Sequence, residues 1–387
     1  MPEVRPGPWL RLIALGAAGA AALAVVSGAL PLHTAHRALA ALAVPPLAAL
    51  VAAAWVAHRR LLGPSAAALV VGRPLHIAFA ALALAAALMA TAATVRGEPV
   101  AAAPWRDYVT LTKPRIMTLL LLTGACGMVV GAGGFPSAWV FVVTMAGLAL
   151  ACGGASALNH VIDRDIDRHM RRTDRRPVAA DRVAPTRALE FGLALSALSF
   201  VLLASLVNVL TALLALAGNL FYVFVYTRWL KRSTPQNIVI GGAAGAVPPL
   251  VGWAAATGNV TVPALALFAI VFVWTPPHFW ALALLIRRSY EAARVPMLPV
   301  VRGERETARQ IVLYTMLLLP VTALPFLLGT VGGVYLVAAA LLGGAFLWLA
   351  WRLWRETTPA RARFLFHFSL AYLALLFVAM ALDSLLA

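Results

Sequence analysis

The stretch FVVTMAGLALACGGASALNHVIDRDIDRHMRRTDRRP, residues 141–177, joins a long apolar run to a strongly charged segment. The apolar part, 141–158, has no charged side chain and approaches the roughly 20 residues with which a helix crosses a membrane. The protein has only 14 Asp and Glu in 387 residues, yet four of them follow this run among six arginines: Asp163, Asp165, Asp167 and Asp174. Such a concentration of scarce carboxylates predicts a polar site at the end of a membrane helix.

Composition places the chain among polytopic α-helical membrane proteins. Its mean hydropathy is +0.89, and 12% of its residues are charged, against about 25% in soluble domains. A β-barrel would need shorter segments of alternating polarity, which the sequence lacks. The net charge of +17 comes from arginines in the short connections between apolar runs, as in cytoplasmic loops of membrane proteins. We therefore predict a lipid bilayer as the surroundings and no nucleic-acid partner.

Twelve apolar runs are long enough to span a membrane, three before a polar gap at 96–115 and nine after it. The predicted spans are 9–31, 38–57, 75–95, 116–134, 137–157, 188–206, 208–227, 237–256, 263–285, 309–329, 332–352 and 364–386. We predict an all-α polytopic membrane protein with two parts. Residues 1–104 form an N-terminal transmembrane extension of about three helices, and residues 105–387 form the larger body.

The charge of the connections predicts the orientation of the body. The Arg-rich connections at 158–187, 228–236 and 286–308 all fall on one side of the membrane when the spans are counted. Because cytoplasmic loops are enriched in Lys and Arg, that side is predicted to be cytoplasmic. We expect a multi-pass protein of the cell inner membrane whose active-site loops face the cytoplasm.

Asn159, Asp163 and Asp167 follow one another at intervals of four residues. If the preceding helix continues past the membrane, the three side chains lie on one face, one turn apart. Three oxygen side chains in that arrangement suit Mg²⁺, which completes its coordination with water and substrate phosphates. Eight arginines between 164 and 187 add an anion-attracting field. The alternative is a solvated helix end with i,i+4 charge pairs.

A second polar group lies at 226–237, YTRWLKRSTPQN. Lys231, one of only two lysines in the chain, and Arg232 could meet a diphosphate there; an ordinary cytoplasmic loop is the alternative. The following run, 238–253, has small residues that favour close helix packing. Its Pro248-Pro249 pair predicts a broken or kinked span.

A third group is WTPPHFWALALLIRRSYEAARVPMLPVVR at 274–302. His278 lies beside two prolines within a predicted span. An ionisable side chain inside a membrane is a functional candidate by default, and a packed core histidine is the alternative.

Several of these blocks resemble one enzyme family. The acidic segment at 159–177 resembles the first Asp-rich motif of UbiA-type membrane prenyltransferases. More narrowly, it is similar to the protoheme IX farnesyltransferases, or haem O synthases. Supporting matches, in the same order along the chain, are YVTLTKPRIMTLLLLT (108–123), YTRWLKRSTPQNIVIGGAAGAVPPLVGW (226–253), WTPPHFWALAL (274–284) and VPMLPVV (295–301).

This resemblance implies nine transmembrane helices around a central cavity. It implies Mg²⁺-assisted ionisation of farnesyl diphosphate and transfer of the farnesyl chain to a vinyl group of haem b. By resemblance, Asn159, Asp163 and Asp167 are the catalytic and metal-binding residues. The implied substrate-binding residues are Lys113, Arg115, Arg172, Arg176, Lys231, Arg232, His278 and Tyr290.

One position departs from the family pattern. The family normally has Asp before the Tyr that precedes VPMLP, whereas this chain has Ser289 before Tyr290. Glu291 is two residues away, on another helical face. Glu291 could replace the missing Asp if the loop is irregular; otherwise the departure weakens the second metal position that the family pattern implies, and activity is less certain.

The N-terminal extension carries PLHTAHRALAALA (31–43) and GRPLHIAFAALALAAAL (72–88), which resemble histidine-bearing helices of haem A synthase. His36 and His76 are therefore candidate haem ligands, and haem A synthase is a candidate partner. Interfacial histidines at the ends of spans are the alternative.

Two other functions remain open from the sequence. The first is a UbiA-type prenyltransferase acting on a quinone or chlorophyll precursor. The second is a non-catalytic haem-binding assembly protein, which Ser289 and the extra histidines would favour.

Overall fold

The structure, a computed structural model, describes residues 103–386, which fold into helices and turns without a strand. The predicted spans at 9–31, 38–57 and 75–95, with His36 and His76, lie outside the described residues. The helices are α1 (Trp105–Leu111), α2 (Pro114–Ala132), α3 (Ala138–Ile162), α4 (Arg164–Arg168), α5 (Pro185–Leu206), α6 (Val209–Ser233), α7 (Asn237–Thr257), α8 (Val262–Leu285), α9 (Arg287–Ala292), α10 (Leu298–Val301), α11 (Gly303–Leu327), α12 (Gly333–Arg355) and α13 (Pro359–Leu386).

Nine of the helices within residues 103–386 are long and apolar enough to cross a membrane. They confirm the predicted nine-span body, with most bounds shifted by one to five residues. The two larger shifts are of six residues each: α11 begins at Gly303 instead of 309, and α6 ends at Ser233 instead of 227, because polar turns extend both helices. Successive spans reverse direction, so the connections α3–α5, α6–α7 and α8–α11 lie at one end of the bundle, called the polar end below.

The outer surface of the bundle is apolar, as contact with lipid requires. Leu327 and Leu341 are each about seven-tenths exposed although they lie in hydrophobic helices. At the polar end of α12, the guanidinium of Arg352 lies 4.7 Å from the ring centroid of Trp348. Trp and Arg side chains concentrate at membrane–water interfaces. The protein is a multi-pass membrane protein, and this Trp–Arg pair is typical of a helix end at the interface.

Small residues allow α2 and α7 to pack backbone against backbone. A Cβ on Gly127 would lie 2.6 Å from the carbonyl oxygen of Pro249, and one on Gly252 would overlap the carbonyl oxygen of Gly124. Membrane helices associate through van der Waals contact, which glycine permits at the shortest distance. The small residues of 238–253 therefore include packing positions.

Of the two outcomes predicted for the Pro248-Pro249 pair, a broken or a kinked span, the break does not occur. Helix α7 continues through both prolines to Thr257, and α8 likewise continues through Pro276-Pro277. Prolines are tolerated inside membrane helices because packing against neighbouring helices compensates for the lost hydrogen bonds.

A carboxylate far from the predicted site has a structural role. Asp383 of α13 is buried and accepts hydrogen bonds from the backbone N–H groups of Gly332 and Tyr335 at the start of α12. The first N–H groups of a helix lack intrahelical partners, so a carboxylate there stabilises the helix. Asp383 thereby joins α12 and α13 at the end opposite the polar end.

The contact between α2 and α7 predicts that alanine substitution of two glycines in α7 has very different effects on stability. Gly252→Ala should destabilise the bundle by about 1–3 kcal/mol or more, because the methyl group has no room. Gly245→Ala is the matched control, since a Cβ there meets nothing within 4 Å. Thermal unfolding of the purified variants in detergent measures both, and equal midpoints would contradict the packing argument.

Candidate functional site

The acidic segment begins where α3 ends. Asp163 has φ −87° and ψ 4°, so the helix stops at Ile162 and a short helix, α4, follows. The i,i+4 backbone bonds nevertheless continue: Asp163 N–H donates to Asn159 O at 2.9 Å, and Asp167 N–H donates to Asp163 O at 2.8 Å. The predicted single helix is therefore two helices. Asn159, Asp163 and Asp167 still follow one another by one turn.

Asp163 is the centre of the polar site. Its side chain is fully buried, and Oδ2 accepts hydrogen bonds from Lys231 Nζ at 2.5 Å and Asn159 Nδ2 at 2.7 Å. Lys113 Nζ donates to Asn159 Oδ1 at 2.7 Å. Both lysines of the chain therefore converge on this pair, from the ends of different helices.

Asp167 forms the second ion pair of the site. Arg176 Nη1 donates to both of its carboxylate oxygens, at 2.8 and 2.7 Å, and the Asp167 side chain is almost fully buried. Burial and the neighbouring guanidinium of Arg176 lower the pKa of Lys113 to about 7. Lys113, Arg176 and Lys231 therefore form a basic group around two buried carboxylates.

Arg232 points to a different carboxylate from Lys231. Its Nη1 and Nη2 each donate to one oxygen of Asp165, both at 2.7 Å, whereas Nη2 is 3.9 Å from Asp163 Oδ1. The hydrogen bonds from Arg232 lower the pKa of Asp165 to about 2. Arg115 and Arg172 are exposed, and neither makes an ion pair within the described residues.

Tyr290 lies beside the acidic and basic groups of the site. It is buried in α9, and burial raises the pKa of its hydroxyl, while Arg172 and Arg176 oppose that shift. Tyr290 therefore contributes a neutral hydroxyl near the charged residues.

His278 is buried among aromatic side chains of α8 and α13. Its ring is stacked with Trp274 at 4.3 Å and with Phe366 at 4.9 Å between centroids. His278 Nδ1 is 2.7 Å from Ser369 Oγ, whose own hydrogen is donated to the Phe366 carbonyl at 2.7 Å. Nδ1 is therefore the donor to Ser369. The other ring nitrogen, Nε2, has no hydrogen-bond partner in the described part of the chain and is available to a ligand.

Three polar residues of this region were not among those predicted from the sequence. Thr227 Oγ1 accepts from Asn159 Nδ2 at 3.1 Å, and Ser369 holds His278. His160 is 2% exposed, yet neither of its ring nitrogens has a hydrogen-bond partner within residues 103–386. The signal for His160 was its position beside Asn159 after an apolar run. Thr227 and Ser369 gave no comparable signal.

The carboxylates fit a hard cation, although the donor set is small. Asp163 Oδ1 is buried without a hydrogen-bond partner, so one anionic oxygen remains available. No group of three or more His, Cys, Asp or Glu residues within 103–386 could hold a metal ion. Ser289 is half-buried in α9 and Glu291 is exposed. Two carboxylates and an amide oxygen suit Mg²⁺, which takes its other ligands from water and phosphate.

Several arginines of the segment stabilise the connection between α3 and α5. Arg164 and Arg168 each form an ion pair with Asp181, and Arg182 pairs with the buried Asp107 of α1. These pairs hold the connection close to the bundle. The anion-attracting field predicted from eight arginines is therefore smaller than their number suggests.

Comparison with known proteins identifies the class. The model of the UbiA prenyltransferase family matches residues 120–377, about two thirds of the chain. The chain belongs to this family and is a membrane prenyltransferase.

Curated relatives narrow the similarity to one kind of prenyltransferase. The chain is 58% identical over 280 residues to the protoheme IX farnesyltransferase of Symbiobacterium thermophilum, covering 72% of this chain and 94% of the relative. It is 52% identical over 293 residues to that of Gloeobacter violaceus, covering 75% and 95%. The farnesyltransferase of Roseiflexus sp. (strain RS-1) is also 52% identical, and the match covers 72% of this chain but 52% of that longer relative.

Solved structures share the fold at low sequence identity. A structure of digeranylgeranylglyceryl phosphate synthase matches with a TM-score of 0.62 and 18% identity, covering 73% of this chain and 99% of the other. A UbiA homolog from Archaeoglobus fulgidus, bound to DMAPP and Mg²⁺, matches with a TM-score of 0.57 and 19% identity, covering 71% and 99%. Both support the bundle architecture of the body.

The Asp167–Arg176 pair yields a stability prediction. Arg176→Gln should destabilise the protein by about 3–5 kcal/mol, because it leaves a buried carboxylate without its counter-ion. Arg175→Gln is the matched control, since Arg175 is exposed and makes no ion pair within residues 103–386. Thermal unfolding in detergent measures both, and adding Asp167→Asn to Arg176→Gln should recover part of the loss. No recovery would show that Arg176 acts through other contacts.

Proposed function

We propose that the protein transfers the farnesyl group of farnesyl diphosphate to a vinyl group of protoheme IX (haem b), giving haem O. The observation that carries the proposal is the convergence of Lys113, Lys231 and Arg176 on the buried carboxylates of Asp163 and Asp167. The similarity to protoheme IX farnesyltransferases at 50–58% identity supports the substrates.

Breaking the allylic carbon–oxygen bond sends an electron pair to the departing pyrophosphate. We assign Lys113, Lys231 and Arg176 to neutralise that charge, with Arg172 and Arg115 as exposed arginines at the same end. Preorganised cations in a water-poor site stabilise such charge strongly. Asn159, Asp163 and Asp167 would hold Mg²⁺, which when bound supplies further positive charge to the leaving group.

The acceptor contributes the electrons of the new carbon–carbon bond. A vinyl carbon of haem attacks the farnesyl carbon, and water then adds a hydroxyl at the remaining cationic carbon and releases a proton. We assign Tyr290 and His278 to contact the substrates, because both are buried and His278 Nε2 has no hydrogen-bond partner within residues 103–386. The apolar bundle keeps water from capturing the farnesyl cation too early.

The polar end is proposed to face the cytoplasm of a cell with this protein in its inner membrane. The Arg-rich connections at that end support this orientation. Farnesyl diphosphate would then place its charged head at the polar end and its chain within the bundle.

The decisive experiment is a product assay. Purified full-length protein in lipid is incubated with haem b, farnesyl diphosphate and Mg²⁺, and extracted haem is analysed by chromatography with mass detection. Haem carrying one hydroxyethylfarnesyl group supports the proposal and shows that Ser289 is tolerated. Unmodified haem, from protein that still binds both substrates, would instead favour a haem-binding assembly protein, with Ser289 as the disabling change.

Asp163→Asn should reduce transfer about 100-fold or more, because it removes the buried anionic oxygen assigned to the metal. Asp174→Asn is the matched control in the same segment, since Asp174 is exposed. Size-exclusion profiles confirm that both variants are folded before turnover is compared. Wild-type turnover in Asp163→Asn would refute the assignment.

Removal of divalent cations should stop transfer, because two carboxylates and an amide are a donor set suited to Mg²⁺. The product assay is run with EDTA, then with excess Mg²⁺, which should restore the rate. Excess Ca²⁺ is the control, because it has the same charge as Mg²⁺ but is larger and does not require the compact octahedral coordination of Mg²⁺. A rate insensitive to EDTA would remove the metal from the proposed reaction.

A further inference from the structure

A second basic cleft lies beside the diphosphate site, on the other side of α4. Its volume is about 240 Å³, and it is lined by Asp165, Ile166, His169, Arg232, Arg294 and Val295. Asp163 and Asp167 belong to the site already described, whereas Asp165, between them in sequence, lines this cleft. The cleft therefore adjoins the first site without sharing its buried carboxylates.

The charge of the cleft is positive. Arg232 and Asp165 neutralise each other through two hydrogen bonds of 2.7 Å, and Arg232 is fixed further by donating to the Ile162 carbonyl. Arg294 is exposed and makes no ion pair or side-chain hydrogen bond within residues 103–386. One guanidinium is thus fixed by its hydrogen bonds, and the other has no partner in the described part of the chain; the second is therefore available to an anionic ligand.

Arg294 occupies a backbone conformation that favours glycine. Its φ is 54°, in the left-handed region, just after the end of α9. Val295 N–H donates to Tyr290 O at 2.9 Å, and Arg294 N–H donates to Glu291 O at 3.0 Å, which closes the helix end. Gly is the usual residue at such a position because it adopts this φ without strain. In this chain a long basic side chain occupies a position where glycine would be less strained.

The floor of the cleft is apolar. Ile166 and Val295 are buried and belong to the same hydrophobic cluster as Tyr290. A ligand that fits has an apolar body facing the bundle and acidic groups at the rim. Tyr290, which lies beside the charged residues of the diphosphate site, precedes the turn that carries Arg294. A ligand in the cleft would therefore lie next to a bound diphosphate.

We propose that this cleft binds the carboxylates of the acceptor, namely the propionates of haem b, through Arg294 and the Arg232–Asp165 pair. The inference rests on the proposed function, because it assigns the acceptor's acidic groups to a place separate from the diphosphate. Separate anion sites on two sides of α4 allow both substrates to be bound at once, as group transfer requires.

The test compares haem b with its dimethyl ester, whose propionates carry no charge. Both are titrated into the full-length protein in phosphatidylcholine nanodiscs without farnesyl diphosphate, and binding is followed by the haem absorption band. Wild type should bind haem b about tenfold or more tightly than the ester. Arg294→Gln should lose most of that preference, and Arg294→Lys should retain part of it.

Two further variants distinguish a loss of propionate binding from a change in the folded structure. Arg302→Gln is the matched control, because Arg302 is an exposed arginine of the same connection that does not line the cleft, and it should keep the wild-type preference. Arg294→Gly should unfold at a temperature no lower than wild type, since the backbone strain is relieved, yet bind haem b as weakly as Arg294→Gln.

The outcomes distinguish this inference from the proposed function. Equal affinity of wild type for haem b and its ester, or an unchanged preference in Arg294→Gln, would overturn the cleft assignment even if the product assay yields haem O. A preference for haem b over the ester that depends on Arg294 supports the cleft. Absence of haem O from wild type in the product assay would overturn the function, whatever the binding titration gives.

Discussion

The buried carboxylate of Asp163 is the interaction on which the polar end of the bundle depends. A charge at that depth is strongly destabilising unless it is paired and hydrogen-bonded. Asp163 meets this requirement with Lys231 from the end of α6 and with Asn159 of α3, and Asn159 in turn accepts from Lys113 before α2. This small polar network therefore fixes the positions of three helix ends relative to one another: the start of α2, the end of α3 and the end of α6. Apolar packing alone is less directional and would fix these positions less well.

The arginines of the connection between α3 and α5 include two groups with different tasks. Arg164, Arg168 and Arg182 pair with Asp181 and Asp107 and give the connection its shape. Arg171, Arg172 and Arg175 are exposed and form no ion pair within residues 103–386. Carboxylates near the polar end of α3 therefore have a structural role as well. They neutralise some of the arginines in a connection whose positive charges would otherwise repel one another.

The features that could be predicted from the sequence are those that depend on residues close together in the chain. Hydropathy located the nine spans of the body, since a membrane helix must be apolar over its length. Four-residue spacing aligned Asn159, Asp163 and Asp167, because i,i+4 hydrogen bonds persist across the break at Asp163.

Contacts between distant segments were not predictable in this way. Ser369 and His278 are 91 residues apart and meet only because α8 packs on α13. The choice of Asp165 as the partner of Arg232 depends on where α6 ends, and that end follows a ten-residue π-helical segment, Phe221–Leu230, without a sequence signal.

The pairing of Asp163 with Lys231 and of Asp167 with Arg176 has a consequence for the order of events at the site. A cation that binds the carboxylates competes with these internal counter-ions, and each displaced basic group then requires an anion. Under the proposed function, metal and diphosphate would therefore favour each other's binding by the same factor, which is a heterotropic coupling. Before either ligand binds, each of the two carboxylates has its own counter-ion, so a lone cation or a lone phosphate would have to displace an ion pair that the two ligands together would replace.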